Sequence, residues 1–276
     1  MLKSCRVAAL LLSGLAAPAA HAAEPTTIAY GMTIAGLPIG TATLTLTPNG
    51  ASTGVALAGK VGGPLDLGRV NASGTVSAGQ VTLQSRAGSG KDASSADLVS
   101  KGTPGNSLFS YTGVTNRGPG RIAMTLAGSR VTALDAAIPD NPKAVRVPVE
   151  EAHKAGVVDP LSLLGQLIQP GGTLRPEAIC GRTIGVFTGQ VRFDLAGSPA
   201  EARGAAKDMP QGYRPITCRV TFTPISGHRI DKGGNTQTRT ATIVLAQSEA
   251  EGKTLLWSLS VPAVIGSFVL SATAVK

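Results

Sequence analysis

Apolar residues at every second position recur along this chain in short stretches, and that period leaves few folds open. Residues 41–47 read TATLTLT, with Leu44 and Leu46 on one side of an extended backbone. Residues 80–85 (QVTLQS), 121–126 (RIAMTL) and 240–245 (TATIVL) repeat the pattern. A period of two is the signature of half-buried antiparallel strands. Turn signals punctuate the stretches: Pro48-Asn49-Gly50, Gly62-Gly63-Pro64, Gly118-Pro119-Gly120, Ser226-Gly227 and Lys232-Gly233-Gly234. Many short strands at close spacing predict a mainly β chain, an antiparallel open barrel, half-barrel or sandwich.

One segment departs from the alternation. Asp159-Pro160 precedes LSLLGQLI, and Pro170-Gly171-Gly172 follows it. Asp at the N-cap, Pro at the first helical position and a Pro-Gly stop predict a short helix. Its Leu161, Leu164, Leu167 and Ile168 are expected to form one apolar stripe against a sheet. Residues 149–155 (VEEAHKA) suggest another turn or two of helix. The expected organisation is a single exported domain over 23–276. A β part runs to about residue 147, a short helical connection covers 148–170, and a second β part follows. Residues 86–104, polar and rich in Gly and Ser, read as a mobile excursion between strands. Near the end, residues 255–262 and 266–275 read as two paired strands that bury Trp257.

The first 22 residues set the expected compartment. Lys3 and Arg6 precede an uncharged apolar stretch at 7–15, and Ala20-His21-Ala22 offers small residues where a signal peptidase reads. This is the layout of a secretory signal peptide cleaved after Ala22. Cys5 lies before the apolar stretch, not at a lipidation position. No transmembrane segment is expected in the mature chain, because spanning takes about 20 apolar residues. Removal of 22 of the 276 residues leaves 254, enough to bury roughly 75% of the unfolded surface. The leader carries two of the 25 Lys and Arg and no acid, so the net charge of +9 falls to +7. The basic residues are scattered, with no run of even four. Together with the exported compartment and only 5 Phe, 3 Tyr and 1 Trp, this argues against nucleic acid as a partner.

Two cysteines remain in the mature chain, Cys180 and Cys218. An even pair in an oxidising compartment reads as a structural disulfide, closing a loop whose entropy is worth roughly 4 kcal/mol. A metal site wants more ligands nearby than His228, and a redox pair is more often Cys-x-x-Cys.

Catalytic constellations are sparse. His153, Asp159 and Ser162 fall close together and invite a hydrolase triad. Asp159 is better explained as a helix cap and Ser162 as an early helical residue, and no Gly-x-Ser-x-Gly elbow occurs. His153 and His228 lie 75 positions apart with no metal-ligand spacing. Dinucleotide and P-loop fingerprints are absent, and neither a cofactor nor a metal is expected. Arg182, Arg192, Arg219 and Arg229 form a candidate anion-recognition patch if the disulfide and hairpins gather them.

Five segments carry a resemblance. Residues 146–162 (RVPVEEAHKAGVVDPLS), 180–195 (CGRTIGVFTGQVRFDL), 218–229 (CRVTFTPISGHR), 260–273 (SVPAVIGSFVLSAT) and 30–46 (YGMTIAGLPIGTATLTL) together resemble the domain-of-unknown-function 3108 family of exported bacterial proteins, in its alphaproteobacterial form. The resemblance implies export and a mainly β fold, without an activity, cofactor or catalytic residue. Thr188 stands where the family more often has aspartate, which argues against an essential acid there. Two readings follow. One is a non-catalytic periplasmic protein that binds an apolar or anionic envelope lipid, a glycan or a protein partner. The other is a hydrolase acting on cell-envelope material. An apolar cavity beneath 161–168 marks the first, and a convergent acid–base cluster marks the second.

Overall fold

The structure, a computed structural model, describes residues 24–62, 68–88, 93–139, 144–168, 180–201, 208–230, 237–248, 254–263 and 266–276. The leader, the Pro170-Gly171-Gly172 stop and Lys232-Gly233-Gly234 lie outside these residues.

Among the described residues sixteen strands form one sheet. In chain order they begin with β1 (Thr26–Ile34), β2 (Leu37–Asn49), β3 (Ser52–Val61), β4 (Gly68–Ser77), β5 (Gln80–Ala87) and β6 (Ser94–Thr103). β7 (Asn106–Thr115), β8 (Gly118–Ala127) and β9 (Arg130–Ala137) complete the first run. A 3-10 turn (Glu151–Lys154), β10 (Val157–Val158) and helix α1 (Pro160–Ile168) come next. The chain ends with β11 (Thr183–Phe187), β12 (Arg192–Pro199), β13 (Tyr213–Ser226), β14 (Arg239–Ser248), β15 (Thr254–Pro262) and β16 (Ser267–Val275). The spatial order runs from β10 through β16, then β1 through β9. All neighbours are antiparallel except β10 and β11. β1 lies between β16 and β2, and Thr27 and Lys276 exchange both backbone hydrogen bonds, so the two β parts of the sequence share one ladder.

The sheet curls until its ends nearly meet. Val157 N–H donates to Ser129 O, and Arg130 bridges Ala155, so the start of β9 touches the entry to β10. Helix α1 shows the same curl from inside. It touches β4, β5 and β6 and also β15. On a flat sheet β15 and β5 stand about 29 Å apart, whereas nine helical residues reach only about 13 Å. The strands therefore wrap round α1 as a nearly closed barrel.

Turn chemistry follows the strand twist. Ala35-Gly36 and Gly128-Ser129 both have positive φ at each position, the primed geometry that matches tight hairpins. Gly118-Pro119-Gly120 is no turn: it opens β8, and the chain reverses one step earlier, at Asn116-Arg117. The expected excursion over 86–104 is also corrected. Most of it is β6, paired with β5 over Ser94–Lys101 and with β7 over Ser95–Thr103. Its polar residues suit a strand with one wet face, because Ser95, Asp97 and Lys101 are exposed while Ala96, Leu98 and Ser100 turn inward. The 149–155 segment forms only the 3-10 turn, capped by Glu150 and His153.

Three apolar clusters hold the fold. One gathers Val76, Val81, Phe109, Met124 and Leu126 round Leu161 of α1 with Val157 and Phe187. A second packs Ile28, Tyr30, Val244, Leu255 and Trp257, with Trp257 buried beside β16 as its sequence suggests. The third lies round the disulfide: Cys180, Cys218, Ile216 and Val220.

Candidate functional site

Cross-strand pairing sorts the inner face of β2–β8 into rows. Nearest α1, Val76, Val81, Ser100, Phe109 and Met124 sit opposite one another on successive strands, and all are buried. One row further along the strands come Leu46, Val55, Gly74, Leu83, Leu98 and Tyr111, all half-buried. Beyond them lie Leu44, Leu57, Ala72, Ser85 and Ala96, again half-buried. The opposite face carries Thr41, Thr43, Lys60, Arg69, Asn71, Ser73, Gln84 and Arg86, all exposed. This inner wall is apolar and half-covered while the opposite face is polar; Val55, Leu83, Leu98 and Tyr111 pack against the cluster round α1, and Ala42, Leu44 and Leu46 against the one round Tyr30. Ala72, Ala96 and Gly74 line the wall with small groups.

The floor of this wall is α1, fixed by one side chain. Asp159, fully buried, caps the helix: one carboxylate oxygen accepts the N–H groups of Leu161 and Ser162 at 3.0 and 2.9 Å. The other accepts Ser107 Oγ at 2.6 Å and Ser100 Oγ at 3.1 Å. The cap therefore ties the helix to β6 and β7 as well as ending it. That tether decides which helix face is buried. Leu161 is 3% exposed, but Leu164 is 36% exposed, so the expected apolar stripe does not pack as such. Ser162 and Gly165 are buried in its place. A Cβ on Gly165 would stand 2.5 Å from Val81 Cγ2. The missing side chain is what lets the helix approach so closely. The side chains of Leu167 and Ile168 lie outside the described residues.

The triad candidates are each committed elsewhere. His153 Nδ1 accepts the Glu150 N–H, and Ser162 Oγ donates to Asp159 O. The second histidine, His228, holds Arg192 O through Nε2 at 2.9 Å, and its ring meets those of Phe193 and Phe222 in T-shaped contacts. Among the described residues no three His, Cys, Asp or Glu converge as for a metal.

The four arginines do not gather on one side. Arg192 is largely buried, paired with Asp194 at 3.2 Å and donating to His153 O and Ala155 O. It works as a clamp between β12 and the 3-10 turn. Arg229 lies by that same end of β12, where it bridges Arg146. Arg182 and Arg219 meet the far end, beside Gly197 and Ser198. Those are successive strand positions, which face opposite sides. Cys180 and Cys218 are joined as expected, their Cα atoms 5.2 Å apart. Thr188 Oγ1 accepts the N–H groups of Gln190 and Val191, so it does in this turn what a turn aspartate does.

Tyr30 stands on the inner face opposite Ala42, its hydroxyl donating to Leu256 O at 2.8 Å. Burial pushes its phenol well above the ordinary tyrosine range.

The wall itself was not foreseen residue by residue. Its signal lies in three alternating runs, 42/44/46, 55/57/59 and 70/72/74, whose facing positions are apolar or small. Only pairing shows that they fall in rows. Comparison of the chain with family models, with curated proteins and with solved structures found no match in any of the three. Among the described residues no helix is long and apolar enough to cross a membrane.

Proposed function

We propose that this is an exported, non-catalytic envelope protein of the domain-of-unknown-function 3108 family, and that it holds an apolar or amphiphilic envelope molecule against the inner wall of its curled sheet. One observation carries the reading. On β2–β6 the inner side chains are fully buried only in the row nearest α1 (Thr53, Val76, Val81, Ser100), and the rows beyond it (Leu46, Val55, Leu83, Leu98, then Leu44, Leu57, Ala72) stay apolar yet half-covered. Apolar surface left in contact with water costs about 25 cal/mol per Å², and an acyl chain laid along such rows removes that contact. The leader supports delivery to the periplasm, and the Cys180–Cys218 bond suits an oxidising compartment. The hydrolase reading finds less support, since His153, Asp159 and Ser162 each hold backbone or helix geometry.

Two measurements test this. Intact mass of protein from the envelope fraction should show Ala23 as the first residue and no acyl adduct. Titration with N-phenyl-1-naphthylamine should show saturable uptake that envelope lipid extract displaces. Leu57→Lys and Ala72→Glu should each reduce that uptake at least tenfold while circular dichroism stays unchanged. Uptake that is absent, or indifferent to both substitutions, overturns the binding reading. Ester or glycan turnover lost in Ser162→Ala replaces it with the hydrolase.

A further inference from the structure

Among the described residues the nearly closed sheet leaves one long strand edge unpaired. β9 bonds to β8 along one side, and among the described residues its other edge makes backbone contacts only at Ser129 and Arg130, where Val157 and Ala155 approach. Beyond that point residues 132–137 (TALDAA) are all exposed, and among the described residues nothing pairs with their outer edge. The other end of the sheet is different. β10 is two residues long and leads straight into α1. Proteins usually guard a free edge with Lys, Pro or a short strand. β9 has no Lys or Pro over 132–137 and runs eight residues.

We propose that the β9 edge pairs with the β9 edge of a second copy of this chain, antiparallel about a two-fold axis through Leu134. Such an interface is isologous, so the edge must complement itself, and the residues select the register. Opposed residues on a continued sheet must face the same side, which restricts the choice to registers that differ by two. With Leu134 opposite its own copy, Thr132 meets Ala136 and Ala133 meets Asp135, and the central pairs use only open backbone. Centring on Asp135 sets two carboxylates against each other. Centring on Ala133 sets Ala136 and Ala137 opposite Arg130 and Ser129, where Ala155 and Val157 already sit. In the Leu134 register each Asp135 keeps its own Arg121, 3.3 Å away on β8, and faces a neutral side chain. The same pairing covers the flank of a shallow trough of about 600 Å³ on β6–β9, lined by Val99, Leu108, Ala123 and Ala133. Leu108 there is 57% exposed and Leu134 36%.

The test uses the full chain, exported and processed, with its native disulfide intact. Sedimentation velocity at micromolar concentration should give twice the monomer mass. Leu134→Lys should weaken the dimer at least tenfold with an unchanged circular dichroism spectrum. Register is read by cysteine pairing under mild oxidation. Leu134→Cys should cross-link to itself, because directly opposed side chains lie within disulfide reach. Thr132→Cys alone should not, yet a mixture of Thr132→Cys and Ala136→Cys proteins should. A monomeric wild type overturns the proposal. So does a dimer in which Leu134→Cys links no better than Thr132→Cys, which would place the contact on another face.

Discussion

Strands β2 to β9 and strands β10 to β13 belong to one sheet but are held by different means. From β2 to β9 every strand pairs with its sequence neighbours over seven to ten positions, with an apolar inner face and a wet outer one. Local contacts suffice there, since each hairpin closes a short loop at small entropic cost. From β10 to β13 the ladders begin with two residues, then five, and the single parallel pair lies among them. This stretch carries the covalent tie Cys180–Cys218, the Arg192 clamp and the Phe193–Phe222–His228 contacts. Where ladders are short, cross-links and side-chain hydrogen bonds take over from backbone pairing.

The sharpest way to break this contrast is to remove the tie. Replacing both Cys180 and Cys218 by Ser should lower stability by roughly 4 kcal/mol, the loop entropy of a bond spanning 38 positions. Hydrogen exchange should quicken in β11–β13 and stay slow in β3–β8. Equal loss of protection across both stretches would show one cooperative unit and dissolve the distinction.

Next in size is Asp159, the link between the regions. Asp159→Ala loses a cap worth about 1 kcal/mol and leaves the Ser100 and Ser107 hydroxyls buried without their acceptor, about 1–3 kcal/mol more. Asp159→Asn retains a cap oxygen and should recover roughly half of that loss. Urea unfolding of the three proteins measures it, and a wild-type midpoint for Asp159→Ala would refute the tether.

How much of this was readable beforehand follows from where each determinant lies. Strands β5, β8 and β14 show in the period-two runs because alternation is local. β6 escaped because Ser, Asp and Lys on its wet face look like loop composition until its neighbours bracket it. The α1 cap was legible at Asp159-Pro160, but the buried helix face was not. Ser100 and Ser107, which set that face, lie 59 and 52 residues away from Asp159. The strand order, with β16 beside β1, has no local signal at all. The arginines failed to gather for a like reason: β12 separates them by its length, and no spacing records that.

Tyr30 sharpens the comparison from the side of the long ladders. Tyr30→Phe should cost about 1 kcal/mol near neutral pH through the lost hydrogen bond to Leu256 O. The sign reverses in alkali. The folded phenol keeps its proton above the usual range, while the unfolded chain releases it near pH 10. Above that pH the unfolded state binds fewer protons, so wild-type stability falls by about 1.4 kcal/mol per unit from this group. The wild-type advantage over Tyr30→Phe should therefore vanish near pH 11. A difference constant from pH 7 to 11 would show that the phenol is not shielded.

The smallest effect is the one for which helix periodicity alone misleads. Leu164 belongs to the apolar stripe of α1, and an amphipathic helix laid on a sheet ordinarily buries such a residue at a truncation cost of about 2–5 kcal/mol. Asp159 instead rotates the first turn toward β6 and β7, so Leu161 is buried and Leu164 is left 36% exposed. Leu164→Ala should then cost less than about 1 kcal/mol, partly offset by the better helix propensity of Ala. Leu161→Ala should cost the full amount. Gly165→Ala separates rotation from simple looseness. If the helix is held against Val81 at the observed approach, the added methyl must displace Val81 Cγ2 and destabilise by about 1–3 kcal/mol despite its propensity gain. If α1 floats, Ala at that position stabilises. Thermal unfolding of the three variants side by side decides between the two, because only a tethered helix makes the glycine costlier to replace than the leucine beside it.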